Sequence, residues 1–227
     1  VLENGTICVD SDNITFQTYL LNTGLAESLY DFVWFIDGVE QINVNTSTFV
    51  AEVVGTYSVL VTNTLTGCEA QPVSAIVTAI EPATTFTVDV TNAFSDNAML
   101  TVTVADGTGD LLYQLDDGPF QESNIFTNVS SGDHIITVID TKGCTYLTQE
   151  KTVIGYPTYF TPNGDGHHDT WKITGLNQAD AKLYIFDRYG KLIKQLSPSS
   201  GSDGWDGTYN GQQLPSTDYW FSLDYTE

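Results

Sequence analysis

The sequence predicts an all-β protein made of three tandem small β-sandwiches. Three observations carry that prediction. Threonine occurs 31 times and aromatic residues 27 times in 227 residues, and these side chains suit a pleated, half-buried surface. Short runs of alternating apolar and polar residues recur between Gly, Asp and Asn turns, and no stretch of useful length carries a helical stripe. A block of sequence also returns after about 80 residues, the spacing of tandem sandwich modules.

The elements follow in order. Ile14-Thr15-Phe16-Gln17 alternates. The apolar run from Phe32 to Ile36 is closed by Asp37-Gly38. From Tyr57 to Thr62, alternation places Tyr57, Val59 and Val61 on one face. Leu100 to Val104 alternates cleanly. Leu111 to Leu115 runs into Asp116-Asp117-Gly118, a hairpin turn signal, and Ile135 to Ile139 is the next strand. The best helical attempt, Leu25 to Tyr30, is too short. Tyr184 to Ile193 is a hairpin in which Arg188-Tyr189-Gly190 supplies the positive φ. Asp206-Gly207 and Asn210-Gly211 are tight turns, and Tyr219 to Leu223 is a strand. Trp171, Trp205 and Trp220 are the expected core or near-core anchors of this last region.

The returning block begins at Gly55 and again at Gly132, and each copy ends in Gly-Cys, at Gly67-Cys68 and Gly143-Cys144. The expected modules span 1–81, 82–154 and 155–227, with boundaries at Pro82 and near Gly155-Tyr156-Pro157. The first two modules look Ig-like or PKD-like. The second resembles SprB repeats through the segment from Gly132 to Thr145.

Charge sets the function classes. Residues 1–154 hold 20 acidic and 2 basic side chains; residues 155–227 hold 9 and 5. A net charge of −22 argues against nucleic-acid or anionic-membrane partners, which need clustered cations. No apolar run is long enough for a membrane-spanning helix. A chain that opens on Val1 without a signal-like segment is expected to be an internal piece of a longer precursor.

Three cysteines leave one over. Cys8 precedes the first strong strand and Cys68 follows the Tyr57 strand, so the expected disulfide is Cys8–Cys68. It implies an oxidising, extracellular setting. Cys144 is expected as a buried unpaired thiol.

The C-terminal region reads Phe160-Thr161-Pro162-Asn163-Gly164-Asp165-Gly166, then Ile185-Phe186-Asp187-Arg188-Tyr189-Gly190, then Trp205-Asp206-Gly207 through Tyr219-Trp220. These blocks, in this order, resemble the gliding-motility-associated C-terminal domain of Bacteroidetes surface proteins. His168 stands where that family usually has Asn, and Thr217-Asp218 where a Gly is common. The resemblance implies export through the type IX secretion system. The implied partners are its translocon and a porin-like outer-membrane protein of the PorP/SprF kind. It further implies surface attachment at the bacterial outer membrane, a secreted adhesin as the parent, and one more strand and a basic tail beyond Glu227.

Asn163, Asp165 and Asp169 fall at positions 3, 5 and 9 of an EF-hand-like spacing, but Lys172 at position 12 excludes the helix-loop-helix site. Such a loop can bind Ca²⁺ through these side chains and the His167 carbonyl, given a ligand from another loop; the alternative is an Asx-type turn. His167-His168 makes a poor zinc pair, since adjacent side chains on an extended chain point apart.

Strand Tyr219 to Tyr225 is aromatic and nearly uncharged. Tyr219, Trp220, Phe221, Leu223 and Tyr225 are the expected partner-binding residues, along an edge that a transport partner completes by strand addition. The competing reading is carbohydrate-binding or accessory modules of a secreted enzyme, with Trp205, Tyr209 and Tyr219 as a stacking platform for a surface polysaccharide. Carboxylates are abundant, but three small sandwiches offer no cleft that would pair two of them, so no enzyme is expected.

Overall fold

The computed structural model describes residues 1–91, 94, 97–198 and 204–226. Every regular element among them is a strand.

The first sandwich is built from β1 (Gly5–Val9), β2 (Thr15–Gln17), β3 (Tyr19–Asn22), β4 (Tyr30–Ile36), β5 (Val39–Glu40), β6 (Thr48–Ala51), β7 (Gly55–Asn63) and β8 (Val73–Ile80). Six of them form one sheet in the order β2-β1-β8-β7-β4-β5, and β3 and β6 pair separately. The alternation seen in the sequence sets the core. Phe32 and Trp34 on β4 face Val61 and Val59 on β7, with Tyr57 completing the row. Trp34 and Tyr57 are both fully buried, each withdrawing about 150–250 Å² from water. Their polar ends are satisfied: Trp34 Nε1–H donates to Thr46 O at 2.9 Å, and the Tyr57 hydroxyl to Val53 O at 2.8 Å. Strand β1 runs parallel to β8, with Cys8 opposite Ile80.

The second sandwich comprises β9 (Phe86–Thr91), β10 (Ala98–Val104), β11 (Leu111–Leu115), β12 (Ile125–Val129), β13 (Gly132–Asp140) and β14 (Tyr146–Val153). Its sheets, β12-β10-β9 and β11-β13-β14, enclose Leu100, Val102, Ile136 and Val138. The sequence repeat has a structural counterpart. Asp37 and Asp116 both sit at positive φ, and each accepts a backbone N–H 19 residues downstream, from Thr56 at 2.8 Å and Ile135 at 2.9 Å. Asp116 also meets the buried ring of His134 at 2.8 Å.

The third sandwich carries β15 (Lys182–Asp187), β16 (Leu192–Leu196), β17 (Thr208–Tyr209), β18 (Gln212–Gln213) and β19 (Tyr219–Asp224). Its main sheet has the order β16-β15-β19, and backbone bridges Gly155–Thr174 and Trp171–Trp205 form the facing layer.

Two expectations are corrected. The disulfide joins Cys8 to Cys144, with Cα atoms 5.5 Å apart, and Cys68 is free and exposed. Register explains the difference. Cys8 lies beside Ile80, the last residue of β8, whereas Cys68 lies ahead of Val73, where β8 begins. An eight-residue strand is about 26 Å long, far beyond the reach of about 7 Å between bridged Cα atoms. The second correction is Trp220, which is 66% exposed. Its neighbours Tyr219 and Phe221 take the inward face of β19, and side chains one residue apart face opposite ways.

Candidate functional site in the C-terminal sandwich

The sequence blocks of the third sandwich fold into three capped turns around one aromatic stack. In the first turn, the Asp169 carboxylate accepts N–H bonds from Asn163, Gly164 and Gly166 at 3.1, 2.6 and 2.7 Å. Asn163 Oδ1 accepts from Asp165 N, and Asp165 Oδ1 from His167 N. The Gly166 and Gly164 amides foremost hold the Asp169 carboxyl below its ordinary range. In the second turn, Asp187 Oδ1 accepts from Tyr189 N and Lys191 N, both at 2.9 Å, around Gly190 at positive φ. In the third, Asp206 Oδ1 accepts from the Thr208 hydroxyl and N–H, and these bonds lower its carboxyl in turn.

The first and third turns meet at the tryptophans. Trp171 and Trp205 exchange backbone hydrogen bonds, both 2.8 Å. Trp205 is 2% exposed; Phe160 packs on it at 5.4 Å and Tyr219 meets it edge-on at 4.9 Å. Gly207, at φ +76°, lets the third turn approach the first: a Cβ there would stand 3.2 Å from Pro162 and 3.3 Å from Phe160. Above the stack lies an open groove of about 590 Å³ whose walls include Tyr156, Phe160, Trp171, Trp205, Tyr219 and Phe221. One rim is β19, which pairs only with β15 among the described residues.

The expected site residues distribute unevenly over this geometry. Tyr219, Trp220 and Phe221 line the groove. Leu223 and Tyr225 pack instead into the core around Leu183. Tyr225 has a further partner at Phe94, 5.8 Å away. The proposed sugar platform is overturned, because Trp205 is buried and lies 75° from the Tyr219 plane, whereas a stacking platform must be exposed and flat. Asn163, Asp165, His167 and Asp169 share one loop, but the oxygens of Asp169 are taken by backbone amides and Asn163 Nδ2 donates to Asp165 at 2.7 Å. Among the described residues no three His, Cys, Asp or Glu side chains are placed to hold a metal ion.

Sequence reasoning missed the framing role of Asp187 and Asp206. The signal was present as Asp three residues before Gly190 and one before Gly207, a spacing at which the carboxylate reaches the amides of the turn it opens.

Among the described residues no helix is long and apolar enough to cross a membrane. No significant match to a curated protein was found. Among solved structures, the chain is similar to three N-terminal domains of the bacteriophage RB49 outer capsid protein Hoc (13% identity, 92% of this chain and 82% of that one, TM-score 0.29). It is similar to immunoglobulin domains 1–4 of Sidekick-1 (15%, 86% and 67%, TM-score 0.26). A third is the Bacteroides ovatus protein SGBP-B in complex with a mixed-linkage heptasaccharide (11%, 97% and 87%, TM-score 0.22). Nothing is inferred from these distant likenesses. Residues 154–227, which contain all three capped turns and the aromatic stack on Trp205, match the family model of the CHU_C type IX secretion signal domain. That C-terminal sandwich is a type IX secretion signal domain, and the chain that carries it is a secreted or cell-surface protein.

Proposed function

We propose that this chain is the C-terminal region of a cell-surface adhesin. Residues 155–227 act as its export and surface-attachment address, and the two front sandwiches act as stalk or adhesive repeats. Catalysis forms no part of this role. The address is read at the outer membrane by the type IX translocon and by a porin-like protein of the PorP/SprF kind. The observation that carries the reading is the rim of the aromatic groove: among the described residues β19 pairs on one side only, and Trp220 projects from it into solvent. A one-sided strand offers a row of backbone donors and acceptors, and strand addition satisfies them in register. Rigid aromatic side chains beside that row supply contact area at low entropic cost.

Hydrogen exchange of the full chain, with and without the purified porin-like partner, tests this. Slower exchange at the amides of residues 219–224 on adding the partner is the expected result. Equal exchange in both samples overturns strand addition at this edge.

A further inference from the structure

We infer that the Cys8–Cys144 bond is a mechanical bypass, which carries tension past the bulk of the first two sandwiches and leaves only their end strands, β1 and β14, on the load-bearing path. The bond closes a covalent loop between residues separated by 136 positions. Almost all of both front sandwiches lies inside that loop. When the chain is pulled from its two ends, the taut covalent path runs from residue 1 to Cys8, across the two sulfurs, and from Cys144 to residue 154. The backbone from residue 9 to 143 is a side branch of that path, so no pull along the chain can lengthen it.

The two segments left on the path have little slack. Residues 5–9 form β1 and residues 146–153 form β14, and strands are already near full extension at about 3.3 Å per residue. The place of the bond is also fixed by its surroundings. Asp140 turns the chain into Cys144: its carboxylate accepts N–H bonds from Lys142 at 2.7 Å and from Thr145. The Thr145 hydroxyl in turn accepts from Ala83 N at 3.0 Å. Glu81 and Thr108 exchange two further bonds, Glu81 N–H to the Thr108 hydroxyl and Thr108 N–H to Glu81 O, both 3.0 Å. Gly109 permits the close approach, since a Cβ there would stand 2.8 Å from Asp140 and 3.3 Å from Ile80. The segment joining the two sandwiches is thus pinned beside the sulfurs, and the covalent shortcut spans a short, held junction. This holds whatever the front sandwiches bind.

Single-molecule pulling of the full chain between handles at its two ends tests the inference. In the oxidised protein the front sandwiches should release only residues 1–8 and 144–154, about 70 Å of contour at about 3.5 Å per residue. The C-terminal sandwich should release about 250 Å as an internal reference. With Cys144→Ser the front release should grow roughly eightfold, to about 540 Å. Should that variant not fold, the parent in reductant, with three free thiols confirmed by mass, serves in its place and should show the same long release. A long front release in the oxidised parent overturns the inference, as does a short one after confirmed reduction.

Discussion

The ring of Phe94 lies 5.8 Å from the ring of Tyr225, in a core otherwise built by the secretion signal domain. Phe94 reaches it from between β9 and β10, holding a positive φ of 63° that a bulky side chain seldom adopts. Its N–H donates to Ile154 O at 3.1 Å. The second and third sandwiches therefore share an aromatic contact as well as a peptide linkage. Phe94→Ala should lower the stability of the C-terminal sandwich by about 1–3 kcal/mol, below the value for a fully buried Phe because the ring is half-buried. Calorimetry of the full chain should show the corresponding transition move down while that of the first sandwich stays in place.

Two neighbouring tryptophans should part company. Trp205→Ala empties the centre of the stack and should cost about 3–5 kcal/mol. Trp220→Ala removes a ring that solvent already surrounds and should change stability by less than about 0.5 kcal/mol, yet, on the function proposed above, weaken binding to the proposed porin-like partner. Urea midpoints and a binding assay on the same two variants check both statements. Equal stability losses would mean that Trp220 is a core residue after all.

Acid should loosen the junction of the first two sandwiches. Burial pushes the Asp140 carboxyl up, but the N–H groups of Thr145, Lys142 and Cys144 outweigh it and hold it below its ordinary value. A carboxyl whose folded value is lowered contributes stability above the unfolded value of about 3.9, and that contribution is lost as pH falls through the folded value. Stability should therefore be flat from pH 7 to about 5 and decline below about 4. Asp140→Asn should cost about 1–3 kcal/mol at pH 7, because an amide presents a donor to backbone donors, and should flatten the acid decline. Urea midpoints between pH 7 and 2 for the two proteins provide the check.

The loop from Asn163 to Asp169 should depend on Asp169 rather than on a cation. Asp169→Ala frees three backbone amides and should speed hydrogen exchange at Asn163, Gly164 and Gly166, with no calcium present. Calcium titrated into the parent should give no heat. Heat that disappears in Asp165→Ala would instead make the loop a cation site.

What the sequence disclosed follows a physical divide. Strands with one wet face announced themselves: Tyr57, Val59 and Val61 alternate because β7 buries every second residue, and Leu100 to Val104 does the same on β10. Strand β1 was silent because four of its five residues are buried, leaving no alternation to see. Turn chemistry was legible wherever an Asp-Gly or Asn-Gly pair demanded positive φ. The disulfide was not, since each front module was treated as self-contained and the partner of Cys8 depends on how β8 hands the chain to its neighbour. The aromatic groove was half legible. The residues of β19 were identified, but inward and outward rings differ by one position, and a single-residue shift exchanges Trp220 with Phe221.

Cys68 gives the molecule a chemical asymmetry. With Cys8 and Cys144 sealed to each other, it is the one thiol left open. It sits just beyond a turn that Asn63 holds through bonds to Leu65 N, Thr66 N and the Thr66 hydroxyl. A maleimide dye or gold particle added without reductant would mark this single point in the first sandwich, distant in sequence from the secretion signal. Stored in air without such a cap, two chains would couple through it into a covalent pair.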